Sequence, residues 1–359
     1  MKNSRKYISI QRIRIRQEKL ERLRRKSVKK KRQRNIDSNG RKKDKEWEIN
    51  ERHSLYGHVK RVAVSARQNL SLLKDSENVL DFMRKIENAT AKNQKVILTL
   101  DLRQVTRIDI GAISVLLSKI NKLTQRNIQA ICKLPQDRNC KKMFFESGFS
   151  DHMRDLQGGR ILYNKKSKNL MVNRGFDKTS NREIGLAIKD SVKYLTGAED
   201  TFRPLYSIAQ EMCANSVEVE HANQYNKNWL FSVWYKDEDN VCFTMTDIGE
   251  GILGTLKRKF SQKIKEQLLI DNKEILKRAF EKKYTSVTKD VNRNKGLPKI
   301  KNISDANYIN NLIVITNNVL LDFSDSTNSK VLNRKFNGTF YYWELNKTCI
   351  EIWKNRKFA

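Results

Sequence analysis

No stretch of this 359-residue chain approaches the ~18 consecutive apolar residues of a bilayer-spanning helix, so no membrane span is expected. The opening MKNSRKYISIQRIRIRQEKL is basic but leads into no apolar run, which is not the pattern of a secretory signal peptide. Cysteine is sparse. Cys132, Cys140, Cys213, Cys242 and Cys349 are too few and too scattered for a disulfide scaffold, and their spacing fits no zinc ribbon. Reduced, partly buried thiols in a cytoplasmic protein are the expectation. Histidine is scarcer still: His53, His58, His152 and His221 are the full set, and none lies on a long amphipathic helical pair upstream of residue 182. That argues against a phospho-accepting histidine hairpin.

Acidic residues are in short supply too. Against 73 Lys and Arg stand 40 Asp and Glu, a formal charge of +33. Residues 1–48 concentrate the excess, with 20 Lys and Arg against 6 Asp and Glu. A segment of that composition cannot bury enough apolar surface to offset the entropy of ordering. Three readings stay open for it: a solvated solubility tail, contact with nucleic acid or another acidic surface, or contact with an anionic membrane surface.

At 38% hydrophobic residues the chain as a whole can build cores, and the part beyond the basic segment is long enough for two domains. Residues 55–155 read as a small α/β domain. Leu80, Met83 and Ile86 recur at helical spacing, and Val96–Leu102 is an apolar run suited to a central strand. Asp109 precedes a helix over 110–123 with Ile113, Leu116, Leu117 and Ile120 on its apolar side, where a carboxylate caps the first turn. A strand over 128–134 stops at Pro135, and a helix over 139–145 ends at Gly148. Alternating strands and helices imply crossover connections. With VILTLDLRQVTRIDIGAISVLLSKI (96–120), Pro135 and MFFESGF (143–149), the region resembles a STAS domain, the fold of anti-sigma-factor antagonists. In signalling members of that family a serine pair follows the aspartate, and the second serine is phosphorylated. Here the stretch reads Asp109-Ile110-Gly111-Ala112, with no hydroxyl at either position. The resemblance therefore implies a docking or dimerisation module that lacks the usual phospho-switch.

Residues 156–180 are polar and rich in Gly, Asn and Lys, and read as a linker. The second domain, 181–359, is read as helices 182–195 and 203–221, strands 229–236 and 241–247, a long basic connection, helices 272–284 and 296–304, and strands 312–316, 319–324 and 339–345. An antiparallel sheet with helices on one face accommodates these elements, an α+β sandwich.

Four stretches in this half carry chemistry. Glu211 and Asn215 lie one helical turn apart on one face, where a carboxamide can ligate Mg2+ and a carboxylate can handle a water in its shell. Asp247-Ile-Gly249-Glu-Gly251 follows an alternating strand; a carboxylate there can accept from an exocyclic amine, and glycines let the backbone approach a base. Asn294-Lys-Gly296-Leu297-Pro298-Lys299 opens a helix whose free amides suit phosphate, with Arg293, Lys295 and Lys299 adding positive charge. Gly338-Thr339 begins the last strand.

In this order the four stretches resemble the nucleotide-binding boxes of the GHKL superfamily, the fold of histidine-kinase and gyrase/Hsp90 ATP sites, over about residues 182–347. The resemblance implies ATP and Mg2+ as cofactors. It assigns Asn215 to the metal, Asp247 to adenine, Gly249 and Gly251 to the base pocket, Asn294, Gly296 and Leu297 to the phosphate side, and Thr339 to the adenine network. Many members have glycine where Asn294 stands; asparagine is the other residue that most readily takes positive φ. Residues 253–291 would belong to the variable lid. A glutamate four residues before the asparagine is shared by ATPases, where it activates water, and by anti-sigma serine kinases, where it activates a hydroxyl. Glu211 is the candidate catalytic residue in either case. The overall expectation is a basic tail, an α/β STAS-like domain and an α+β GHKL ATPase-like sandwich. Its activity would be slow ATP hydrolysis or an ATP-driven switch, with two alternatives: a serine/threonine protein kinase acting in trans, and a nucleotide sensor without turnover. Expected partners are a protein bound through the STAS-like domain, nucleic acid on residues 1–48, and a second copy of the chain.

Overall fold

A computed structural model describes residues 60–91, 96–149, 170–175, 181–217, 229–259, 270–281 and 296–358. Val59–Ala359 forms one compact unit. The basic tail, all four histidines and Asn294 lie outside the described residues.

The N-terminal layer runs β1 (Lys60–Ser65), β2 (Asn69–Leu70), α1 (Ser76–Thr90), β3 (Val96–Asp101), β4 (Arg107–Ile108), α2 (Ile110–Gln125), β5 (Gln129–Lys133) and α3 (Arg138–Glu146). β3 pairs in parallel with β1 on one side and β5 on the other, and β2 pairs in parallel with β4. Val96, Leu98 and Leu100 are buried along central β3. Side-chain caps start the helices: Asp75 accepts from the amide of Asn78 at 3.3 Å, and Asp137 from that of Cys140 at 2.8 Å. Asp109 does the same for α2, accepting from Ala112 N at 2.7 Å, and its other oxygen accepts from Ser71 Oγ at 2.5 Å and Leu73 N at 2.9 Å. The expected cap is therefore also the tie between α2 and the turn after β2.

The second layer contains β6 (Leu170–Gly175), α4 (Asn181–Thr196), α5 (Arg203–Val217), β7 (Trp229–Tyr235), β8 (Asn240–Asp247), α6 (Gly251–Lys259), α7 (Asn272–Phe280), α8 (Gly296–Asp305), β9 (Asn310–Asp322), β10 (Lys330–Asn346) and α9 (Lys347–Phe358). Its five strands lie in the order β6-β7-β8-β10-β9, every neighbouring pair antiparallel. β6 falls inside the segment read as a linker. The strands read as 312–316 and 319–324 are one continuous β9, because Asn317 turns through φ +53° without ending the pairing. β10 begins nine residues before the expected 339; KVLNRKFNG carries too little apolar alternation to announce it.

The expectation of helices on one face of the sheet understates the packing. Successive residues of β7, β8 and β10 point to opposite faces, and both faces are buried. Phe231, Phe243, Met245, Tyr341 and Trp343 join α4, α5 and α7 in one core, whereas Leu230, Cys242, Phe340 and Tyr342 join the N-terminal layer in another. Sequences such as WLFSVWY and FYYWEL are apolar at successive positions, as strands covered on both sides require.

The second cover is α1 and α2. Residues 110–121 of α2 are all buried, because the helix is held between its own parallel sheet and the antiparallel one. Polar side chains on it find partners across the seam. Ser114 Oγ lies 2.7 Å from Thr244 Oγ1 and donates to Ser232 Oγ at 3.5 Å, and Lys119 pairs with Glu87 of α1. Burial holds the Lys119 ammonium below its usual range against the opposing pull of Glu87. β10 supplies more of the seam: Glu77 accepts from Asn333 N at 2.6 Å, and Glu87 from Asn337 Nδ2 at 3.2 Å. Gly111, where the resemblance would put a phospho-acceptor, sits under Phe340; a Cβ there would stand 3.0 Å from Phe340 Cζ. The buried side of α2 is thus occupied by the chain's own sheet.

All five cysteines are buried and unpaired, and burial pushes Cys132, Cys140, Cys213 and Cys242 up to about 12. No helix among the described residues is long and apolar enough to cross a membrane.

Candidate functional site

The helix-covered face of the antiparallel sheet is built in rows. Val233, Phe243 and Trp343 form one row, and Phe231, Met245, Tyr341 and Val314 the next. One step further toward the carboxyl end of β8, the row becomes Trp229, Asp247, Thr339 and Thr316. An apolar core thus ends in a polar rung at the point where Asp247 leaves the sheet. Asp247 Oδ1 accepts from Thr339 N at 3.0 Å, and Thr339 Oγ1 lies 3.4 Å from Thr316 Oγ1. Tyr341, one row inward, is held neutral: burial, and secondarily the Asp247 charge, push its phenol up. Trp229 is 1% exposed, and its indole N–H has no hydrogen-bond partner among the described residues.

Two glycines shape the turn beyond this rung. Gly338, at φ +145°, brings its backbone against the Asp247 carbonyl, where a Cβ would overlap it. Gly251, at φ +78°, starts α6, and a Cβ there would come within 2.8 Å of Thr316 Oγ1. The first amides of α6 are then met from β9. Ile252 N donates to Thr316 Oγ1 at 2.9 Å, Leu253 N to Asn317 Oδ1 at 3.1 Å, and Asn317 Nδ2 donates to Glu250 O at 2.9 Å. Gly249 is exposed, and a Cβ on it would lie 3.7 Å from Asp247 Oδ1. Asp247, Gly249 and Thr339 thus lie together at this end of the sheet. Gly251 opens α6 beside Thr316 and Asn317, two residues that the sequence pattern does not single out.

The second group gathers on α5, which crosses β8 with Cys213 Sγ 4.0 Å from Met245 Sδ. Cys213 lies between Glu211 and Asn215, and Met245 two residues before Asp247 on the same face. α8 packs against α5 and begins at Gly296. A Cβ at Gly296 would stand 3.0 Å from Glu211 Oε2, 3.4 Å from Asn215 Nδ2 and 3.6 Å from Asn215 Oδ1. Glu211, Asn215 and Gly296 are therefore in direct proximity, although 85 positions separate the first from the last. Lys299, one turn into α8, donates from Nζ to Glu211 Oε1 at 2.9 Å. Leu297 is half-buried against the apolar core, and Pro298 is buried in the first turn of α8. Among the described residues no group of three or more His, Cys, Asp or Glu could hold a metal unaided. Asn215, which is exposed, offers a carboxamide oxygen that can serve a hard cation together with phosphate and water.

Comparison with protein-family models, curated proteins and solved structures gave no match to the chain.

Proposed function

We propose that residues 181–359 form a Mg-ATP-binding domain of the GHKL type, and that the chain is an ATP-driven regulatory switch with slow hydrolysis. The observation that carries this reading is the convergence of Glu211 and Asn215 on the glycine that opens α8. A helix start without a side chain, next to a carboxamide and a carboxylate, suits a phosphate and its cation. The polar rung supports the base end. Asp247 can accept from an exocyclic amine, since a carboxylate is an acceptor with two oxygens and about four lone-pair directions. The buried Trp229 N–H supplies a donor in the same row. The residues present thus fit a purine nucleotide and its metal.

Asn215 would hold the cation. When bound, Mg2+ would offset the charge of the phosphates and help to orient the attacking water. Glu211 would take the proton of that water as its oxygen bonds to the terminal phosphorus and the bridging P–O bond breaks. Hydrolysis is favoured over transfer to the chain's own N-terminal layer because that layer has no hydroxyl at Gly111 and covers the position with Phe340. In this reading the STAS-like layer acts in cis, on the back of the strands that carry Asp247 and Thr339.

Calorimetry of the full chain with ATP, with and without Mg2+, is the test. Wild type should bind. Asp247→Asn should weaken binding by about 1–3 kcal/mol through loss of a charge-assisted hydrogen bond. Asn215→Ala should lose the Mg2+-dependent part, while Glu211→Ala should still bind yet turn over ~100-fold more slowly. No binding by wild type at low salt would overturn the assignment.

A further inference from the structure

The Lys299–Glu211 ion pair differs from the other charge pairs of the second layer in what it joins. It bridges 88 residues of sequence and links the candidate base to the first turn of the candidate phosphate helix. Neither partner is locked in place, with side chains 44% and 31% exposed. Exposed pairs of this kind hold weakly, so a stronger anion displaces either partner readily. Lys299 sits within one turn of Gly296, at the positive end of α8, where an ammonium and free amides act on the same anion. A nucleotide phosphate seated there would bring more negative charge to Lys299 than the single carboxylate it now contacts.

We propose that Lys299 is the cationic contact for the terminal phosphate of the bound nucleotide, and that Glu211 holds it in the nucleotide-free state. The inference rests on the ATP-site reading above and adds a coupling to it. Carboxylate and phosphate compete for one ammonium. Lys299 leaves Glu211 when a terminal phosphate arrives, so the base is released only in the presence of the group it acts on. A nucleoside diphosphate, lacking that phosphate, leaves the pair closed.

The competition has a signature in binding that does not depend on turnover. With the full chain, Mg2+, and the probes ATP, ADP and a non-hydrolysable ATP analogue, Lys299→Met should weaken the two triphosphates about ten-fold and ADP much less, as expected for one lost charge-assisted contact. Lys299→Arg should recover most of the difference. Glu211→Gln should tighten the triphosphates about two- to five-fold, because the exposed pair no longer has to be broken. That tightening should shrink when Lys299 is already Met. Urea midpoints of the variants should match wild type, since both side chains are partly exposed.

Equal weakening of ATP and ADP by Lys299→Met would overturn the assignment of the lysine. Tightening by Glu211→Gln of the same size in both backgrounds would overturn the competition. In either case ATP binding by wild type would leave the nucleotide-site reading standing; absence of that binding would remove both.

Discussion

Asn317 is the residue on which the turn after Asp247 depends most, and its contribution can be separated into parts. It lies 5% exposed in the middle of β9, at φ +53°. Its Oδ1 accepts from Leu253 N at 3.1 Å and Gly254 N at 3.4 Å, and its Nδ2 donates to Glu250 O at 2.9 Å. Asn317→Ala removes these three bonds and the weaker one that Thr316 Oγ1 donates to Oδ1 at 3.3 Å. The two shorter ones are worth about 1 kcal/mol each, and alanine in a left-handed conformation costs about 1–2 kcal/mol more. The expected loss is about 3–4 kcal/mol, a large share of a typical stability of about 5–15 kcal/mol. Asn317→Gly loses the same bonds without the conformational cost, so it should fall about 1 kcal/mol less. Asn317→Asp keeps the acceptor, places a negative charge at the start of α6 and loses only the donor, for about 1–2 kcal/mol. Urea unfolding of the full chain should order the variants Asp, Gly, Ala from least to most destabilised. Equal losses for Gly and Ala would refute the backbone part of the reasoning. A loss below about 1 kcal/mol for Ala would refute the capping part.

At the seam between the layers, Gly111→Ala should destabilise by up to about 2 kcal/mol. The overpacking cost against Phe340 of about 1–3 kcal/mol exceeds a helix-propensity gain of about 1 kcal/mol; a more stable variant in urea would show that the seam is loose. Gly111→Ser should stay unphosphorylated in protein recovered from cells, with mass spectrometry as the check, because Phe340 covers the position. At the opposite end of the sheet, Glu344 is buried and accepts from Tyr342 Oη, from Asn311 Nδ2 at 2.8 Å and from Lys236 Nζ at 3.2 Å. Burial raises its pKa, but these donors outweigh burial and hold it below the usual carboxylate range. A depressed carboxylate stabilises the fold above its unfolded pKa of ~4.3 and loses that contribution as pH falls through the folded value. Glu344→Gln should therefore cost about 1–3 kcal/mol at pH 7 and progressively less below pH ~4 in urea titrations. An unchanged difference at acid pH would contradict the charge argument.

The elements legible in the sequence were those whose local chemistry is self-contained. Asp109 announces α2 because a carboxylate before an apolar helical run has few other uses, and it caps the helix at 2.7 Å. Glu211 and Asn215 share a face because helical spacing fixes it. What escaped were features decided by partners distant in sequence. Nothing local in Thr316-Asn317 states that the two side chains will satisfy the amides of a helix that starts 65 residues earlier. Their polarity in a strand, and the tolerance of asparagine for positive φ, are the available signals, and they equally fit a break between two strands. In the sequence Lys299 shows only as local positive charge at the start of a helix, because its carboxylate partner lies 88 positions away. The second cover of the sheet escaped for the same reason. Apolar residues on both sides of β7, β8 and β10 show that both faces are buried but not what buries them.

That double burial links the N-terminal layer to the candidate site by one residue of register. Asp247 and Thr339 face the helix side; their neighbours Thr246 and Phe340 face the other way, and Thr246 and Phe340 are themselves cross-strand partners. Phe340 is fully buried and is the side chain beneath Gly111. A shift of α2 therefore bears on β10 at the position next to Thr339, whose amide holds the Asp247 carboxylate. The same helix holds β8 through Ser114 and Thr244, three residues before Asp247. A hydroxyl introduced at position 111 could be reached only if the layers parted, and parting them would disturb both strands of the polar rung. In this chain α2 is a buried brace behind the strands that carry Asp247 and Thr339.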